Sequence, residues 1–200
     1  MTSEYDSRKW MTWRRGVTLA VGALAFVCFT IAGALYPGGC YNPLRQMLSA
    51  LGEIEVNSVR YPACHYWFMA GMLLSAASVG MVWLALARRL TVWRRIFVCL
   101  GGVINVAGLC VIALVPFGVN GAMHNSGCTM AIAGGTTVLV STLRERADFI
   151  WLAWFSLVVA FFVIAINVKA IPFNPFATAT QKVLILSFAT WAGWVAWSAP

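Results

Sequence analysis

The sequence has few charged residues, and acidic residues are the rarest among them. Lys and Arg number 14, Asp and Glu number 6, and together they make up 10% of the 200 residues. Soluble domains contain about 25% charged residues, because their surfaces face water. The low charge therefore excludes an ordinary soluble domain and predicts a surface that contacts lipid.

Several motifs of catalytic and cofactor chemistry are also missing. The chain has only two histidines, none of its six cysteines stands in a CxxC pair, and it has no HxxxH pattern and no serine nucleophile elbow. These absences argue against redox chemistry by paired thiols and against acyl transfer by a serine. We expect no cofactor and no metal. A haem or metal held by the two histidines is an alternative without a supporting motif.

What the chain does contain is long apolar runs. Hydrophobic residues make up 61% of the sequence, and the mean hydropathy is +0.81. The runs do not alternate with polar residues and are about 20 residues long, which is typical of transmembrane helices and not of barrel strands. Six runs are found, at 16–36, 63–87, 96–115, 122–143, 149–170 and 179–197. The predicted fold is all-α: a single domain over residues 1–200, built as an integral membrane bundle of six transmembrane helices.

The basic residues predict the orientation of this bundle. Ten of them fall on one side of the predicted membrane, at positions 8, 9, 14, 15, 88, 89, 94, 95, 144 and 146, and four fall on the other side, at 45, 60, 169 and 182. The richer side is cytoplasmic by the positive-inside rule. We therefore expect a multi-pass protein of the plasma membrane with both termini in the cytoplasm. The net charge of +8 then indicates attraction to anionic lipid headgroups, with no nucleic acid as partner.

The first outer loop, at about 37–62, contains a helix signal. Asn42 is a good N-cap and Pro43 suits the first helical position. Apolar residues then fall on one face, and Gly52 can end the helix. We expect a short amphipathic helix that lies on the outer membrane surface or caps the bundle.

Apart from loop arginines and lone hydroxyls on the inner side, the polar residues of the spans and loops gather at this outer level, so any site is predicted there. His124, in the first turn of the fourth run, is the main candidate. It is either a structural histidine bonded to a neighbouring helix or a catalytic acid or base assisted by His65 and Glu53. The candidate ligand-binding residues at the same level are Asn42, Arg45, Arg60, Asn120 and Asn125.

Two further features concern packing. Cys40 and Cys64 flank the first outer loop and are predicted to form a disulfide if the outer compartment is oxidising; the alternative is two free thiols. Small residues recur at helical spacing in the second, third and fourth runs, which predicts close helix contacts and offers faces for a homo- or hetero-oligomer. These stripes are Gly71, Ser75 and Ser78; Gly101, Asn105 and Gly108; and Gly127, Ala131 and Gly135.

The segment 42–52, the Leu100-Gly-Gly and Val115-Pro-Phe-Gly motifs and His124 together carry a family resemblance. Over about 16–143 the chain resembles a bacterial six-span membrane family of unknown function, which is similar to the Frag/DRAM/Sfk group of eukaryotic membrane proteins. The resemblance implies a compact six-helix bundle and, by analogy, a role that involves membrane lipids.

Three functions are compatible with these observations. The first is a multi-pass membrane protein that binds membrane lipids or a protein partner through its outward-facing polar cluster. The second is a membrane-embedded lipid-modifying enzyme that uses His124, and the third is a small transporter or channel subunit.

Overall fold

A computed structural model describes residues 2–37, 41–43, 46–56, 59–142, 154, 158, 161 and 177–198. The described part is mainly helical. Its long helices are α1 (Thr2–Ala34), α2 (Pro62–Ala87), α3 (Val92–Leu114), α4 (Gly121–Thr142) and α5 (Ala177–Ser198). Between α1 and α2 lie a 3-10 helix (Leu48–Gly52) and a small antiparallel hairpin of β1 (Glu55–Val56) and β2 (Val59–Arg60).

Three of the described helices are long and apolar enough to cross a membrane: Arg15–Ala34, Pro62–Ala87 and Val92–Leu114. Large apolar side chains on these helices point away from the bundle, such as Phe26, which is 72% exposed, and Val103, which is 69% exposed. Such outward side chains suit contact with lipid and not with water. The coarse prediction of a helical protein with helices long and apolar enough to span a membrane is therefore confirmed.

The other predicted runs have different outcomes. The fourth and sixth runs correspond to α4 and α5, which have 22 residues each but a lower hydropathy, because α4 contains His124 and Asn125 and α5 contains Gln181 and Lys182. That these two helices span a membrane stays a prediction. The fifth run, 149–170, lies outside the described residues except for positions 154, 158 and 161, which are helical and exposed.

The predicted amphipathic helix of the first outer loop is wrong in form. In the structure the helical segment is a 3-10 helix of only five residues, Leu48–Gly52. It begins six residues after Asn42. The backbone N–H of Asn42 donates a hydrogen bond to Oε1 of Gln46. The segment inserts into the bundle, because Leu51 is buried and a Cβ atom on Gly52 would lie 2.6 Å from Cε1 of Phe68. Of the two predicted positions, the segment therefore takes the one that caps the bundle.

Consecutive helices pack against one another, α1 on α2, α2 on α3 and α3 on α4. Residues 88–91 join α2 to α3, and the Arg95 side chain donates hydrogen bonds to the carbonyls of Ala87 and Leu90 at 3.0 and 3.2 Å. Cations favour the C-terminal end of a helix, where carbonyls lack partners. We call this end of the bundle the turn end. The opposite end is the loop end; its described residues are 35–37, 41–43, 46–56, 59–61 and 115–120 and the first turns of α4 and α5.

The seam between α3 and α4 is built from glycines. A Cβ atom on Gly108 would lie 2.6 Å from the carbonyl oxygen of Gly127, and one on Gly101 would lie 2.9 Å from that of Gly134. The two backbones are therefore in direct contact, as small-residue stripes allow. The predicted close packing of the third and fourth helices is confirmed.

Asn105 fastens three helices at the middle of this seam. It is 7% exposed, accepts a hydrogen bond from Nε1 of Trp83 on α2 at 3.1 Å and donates one to the carbonyl of Ala131 on α4. These two bonds link α3 to both of its neighbours, α2 and α4. Trp83 also stacks at a tilt on Trp191 of α5, with 5.5 Å between ring centroids, so the same contact region reaches the last helix.

Candidate functional site

The loop end contains a mostly apolar cavity of about 180 Å³. The 3-10 helix and all five long helices of the described chain contribute to its lining. Representative lining residues, one from each element in chain order, are Phe29, Leu48, Phe68, Ile112, His124 and Leu184. A bundle cavity enclosed by several helices is the usual place for a small-molecule site in a helical protein.

His124 is the only histidine among the described residues that line this cavity. Its side chain is 2% exposed, so it is withdrawn from solvent. Nδ1 lies 2.7 Å from the carbonyl oxygen of Val115, while Nε2 is buried and has no hydrogen-bond partner within the described chain. A buried polar atom without a partner costs free energy and calls for an explanation in the molecule's function.

The local sequence explains how His124 reaches this position. Helix α3 ends at Leu114; the next residue, Val115, has an extended backbone, and Pro116 follows. The amide N–H of Val119 donates a hydrogen bond to the carbonyl of Pro116 at 3.1 Å. The carbonyl of Val115 is therefore available to the imidazole of His124. Oδ1 of Asn120 accepts a hydrogen bond from the amide N–H of Met123 at 3.0 Å and so caps the N-terminus of α4, one turn before His124.

The cavity is closed on one side by contacts between α5 and the loop. Oε1 of Gln181 accepts a hydrogen bond from the amide N–H of Leu48 at 3.2 Å. The ammonium of Lys182 donates to the carbonyl of Gln46 and lies 5.6 Å from the ring centroid of Tyr41. Burial, followed by the nearby Tyr36, raises the pKa of the Tyr41 hydroxyl to about 12. These contacts join Gln181 and Lys182 of α5 to Tyr41, Gln46 and Leu48 of the loop.

The structure does not bring the other two predicted catalytic residues into this cavity. His65 is buried, and its Nδ1 lies 2.7 Å from the carbonyl oxygen of Gly52, but it does not line the cavity. Glu53 is half-buried just after the 3-10 helix, and burial raises the pKa of its carboxyl. Within the described chain, His124 therefore stands in the cavity without either proposed assistant, and their catalytic roles stay predictions.

Four of the five predicted ligand-binding residues also lie outside the cavity lining. Asn42 is exposed in the loop, Asn120 caps α4, and Asn125 is half-buried on α4. Arg60 is exposed and pairs loosely with Glu55 across the hairpin, with 4.0 Å between Nε and Oε2. Arg45 lies outside the described residues.

Cys64 has a buried thiol that is free in this structure. Its Sγ donates to the carbonyls of Ala32 and Leu51, both at 3.2 Å, and thereby ties α1, α2 and the 3-10 helix together. Cys40 lies outside the described residues, so the Cys40–Cys64 disulfide stays a prediction. Among the described residues no group of three His, Cys, Asp or Glu side chains is arranged to hold a metal ion.

Sequence reasoning missed Gln181 and the apolar residues of α2, α3 and α5 as lining residues. A signal for Gln181 was present, since Gln181 and Lys182 are adjacent polar residues at the start of an apolar run. Long polar side chains at the end of a spanning helix usually contact the interface or a neighbouring segment. The apolar lining residues carry no such signal, because they are of the same type as the lipid-facing ones.

No family model matches this chain, and neither a curated protein nor a solved structure matches it. The resemblance to the six-span bacterial family therefore stays a prediction.

Proposed function

We propose that this protein is a multi-pass membrane protein that binds a lipid or another apolar molecule in the loop-end cavity. The observation that carries the proposal is the buried imidazole of His124, which lines an apolar cavity and keeps one nitrogen without a partner in the described chain. An apolar cavity of about 150 Å³ in another protein binds benzene, so one of about 180 Å³ has room for a ring or a short length of acyl chain.

The proposed arrangement in the membrane follows from the sequence. Six spans, with both termini in the cytoplasm of a cell and the loop end facing outward, would place the cavity near the outer leaflet of the plasma membrane. The three apolar helices support membrane insertion, and the excess of basic residues at the turn end supports the orientation. A lipid from the outer leaflet then reaches the cavity from the side.

Binding is favoured over the other two candidate functions. An acid–base enzyme needs a second group that binds or polarises the substrate, and no other titratable histidine or carboxylate of the described chain lines the cavity. A transport path needs several buried polar groups, whereas the buried Asn105 is already engaged by Trp83 and Ala131. The glycine faces of α3 and α4 are used against each other, which leaves them unavailable for a partner.

A cavity-filling substitution tests the proposal. Cys128 lines the cavity one turn after His124, so Cys128→Phe should occupy the space of the ligand. Cys99→Phe is the matched control, because Cys99 is an exposed residue of α3 outside the cavity. Native mass spectrometry of protein purified from membranes should show a retained lipid on the wild type and on Cys99→Phe, and its loss from Cys128→Phe.

The thermal midpoint of each variant shows whether it is folded. Ser75→Leu, from another wall of the cavity, replaces Cys128→Phe if that variant does not fold. Equal lipid retention by folded cavity-filling variants and the control, or no retained lipid and no binding of added apolar probes by the wild type, would contradict the proposal.

A further inference from the structure

The two nitrogens of His124 have different environments, and the difference defines what the cavity can accept. A backbone carbonyl can only accept a hydrogen bond. Because Nδ1 lies 2.7 Å from the Val115 carbonyl oxygen, the proton of the ring is on Nδ1. In the neutral imidazole Nε2 then has a lone pair and no proton, so it is an acceptor.

This acceptor has no donor within the described chain. Nε2 is buried and unpartnered, although hydroxyl groups are present nearby on the lining residue Ser75. The Ser75 hydroxyl donates instead to the carbonyl of Gly71 at 2.8 Å, within its own helix.

The rest of the ring is held by apolar and aromatic contacts. Phe117 packs against His124 in a T-shaped arrangement, with 5.8 Å between ring centroids and an interplanar angle of 87°. The ring is thus fixed on one side by Phe117 and at Nδ1 by Val115. The ring is therefore preorganised, so a ligand that donates to Nε2 binds without the entropic cost of ordering the ring.

We propose that the molecule bound in this cavity carries a neutral hydroxyl group, which donates a hydrogen bond to Nε2 of His124, on an otherwise apolar body. This inference rests on the proposed function and narrows its ligand to one chemical class. An apolar body matches the lining, and a single hydroxyl matches the single unpartnered acceptor. A carbonyl or ether group has no proton to donate and leaves Nε2 unpaired.

Three small probes of one shape test the ligand class. Cyclohexanol has the hydroxyl, methylcyclohexane replaces it by a methyl group, and cyclohexanone has only an acceptor. We expect cyclohexanol to bind about 3- to 10-fold more tightly than methylcyclohexane, the scale of one net hydrogen bond. Cyclohexanone should bind no more tightly than methylcyclohexane. In His124→Leu the preference for cyclohexanol should disappear while methylcyclohexane still binds.

A spectroscopic measurement on the unaltered protein gives an independent result. The chain has only two histidines, so a protein with ¹⁵N-labelled histidine gives two ring systems. Cyclohexanol should shift the Nε2 resonance of His124 and leave His65, which lies outside the cavity lining, as an internal control. Methylcyclohexane should leave the Nε2 resonance in the range of an unbonded acceptor.

The outcomes separate this inference from the proposed function. If all three probes bind equally, or if cyclohexanone binds best, the hydroxyl inference is overturned while the cavity remains a binding site. If none of the probes binds and none perturbs His124, both are overturned. The ¹⁵N measurement uses the unaltered protein, so it tests the hydroxyl inference even if His124→Leu does not fold.

Discussion

Three polar side chains of the loop end are bonded to backbone carbonyls. His65 contacts the carbonyl of Gly52, His124 that of Val115, and Cys64 that of Leu51. All three carbonyls belong to places where a helix ends or the backbone is irregular. Orphan carbonyls at such places need donors, especially where water is excluded.

Glu53, which lies beside this group, predicts a pH dependence of stability. Burial raises the pKa of its carboxyl above the ordinary value of 4.5 in the folded protein. The folded state therefore holds its proton to higher pH than the unfolded state, and folding stability decreases as the pH rises through the raised pKa. We expect the thermal midpoint of the detergent-solubilised protein to be higher at pH 4.5 than at pH 7.

Glu53→Gln should reduce that difference, because a neutral amide cannot ionise. Glu55→Gln, two residues away on the exposed strand of the hairpin, is the matched control and should retain it. An unchanged difference in the Glu53 variant would show that other groups cause the pH dependence.

Residue types predicted the level of the polar groups but not their partners. His124, His65 and Glu53 all lie at the loop end, as hydropathy and helix boundaries predicted. Their carbonyl partners could not be predicted, because every residue has a carbonyl and only the folded backbone decides which ones lack a bond. The unpartnered Nε2 of His124 is for the same reason visible only in the structure.

The α3–α4 pair is the most closely packed element of the described bundle. A Cβ atom on Gly134 would overlap the backbone nitrogen of Asn105 and the carbonyl oxygen of Gly101. These are main-chain atoms within helices, which cannot move aside as a flexible side chain can. The seam therefore tolerates no enlargement at this point.

We expect Gly134→Ala to lower the free energy of unfolding by about 1–3 kcal/mol, the usual cost of overpacking. Gly193→Ala is the control, since Gly193 is also within a helix but a Cβ atom added there would meet no neighbouring atom within 4 Å. It should be neutral or slightly stabilising, because Ala favours helix over Gly. Denaturant titration in detergent measures both, and equal stabilities would contradict the proposed role of the seam.

Helices were predictable where the signal extends over many residues. The predicted run 63–87 corresponds to α2 at Pro62–Ala87, and 122–143 corresponds to α4 at Gly121–Thr142. The short loop helix was predicted wrongly, because its cap and apolar spacing are local signals that tertiary contacts override. Leu51 is buried in the bundle and the Leu48 amide is bonded by Gln181, so packing against other elements decides the form of this segment.

At the scale of the whole molecule, the alternating direction of α1 to α4 defines two ends with different chemistry. The turn end has Arg88, Arg89, Arg94 and Arg95, and the loop end has the cavity and both histidines. The proposed orientation assigns the first to the cytoplasm and the second to the outside.

Single-cysteine variants test this orientation. Thr91 is exposed at the turn end, and Val119, which is 69% exposed, lies at the loop end. On intact cells an impermeant maleimide should label Val119→Cys and a variant that keeps only Cys40, and should label Thr91→Cys only after permeabilisation. The reverse pattern would contradict the orientation and place the cavity at the inner leaflet.

The glycine seam has a consequence for how the chain enters the membrane. Helix α4 carries His124, Asn125 and several hydroxyl residues, and it is less apolar than the three helices that qualify as spans on their own. Its glycine face packs directly on α3, to which it is joined by only six residues, 115–120. If α4 spans the membrane as we propose, the cost of transferring it into lipid is lowest when α3 and α4 enter together as a hairpin. We then expect α3 to remain at the exit site of the translocation machinery until α4 has been synthesised.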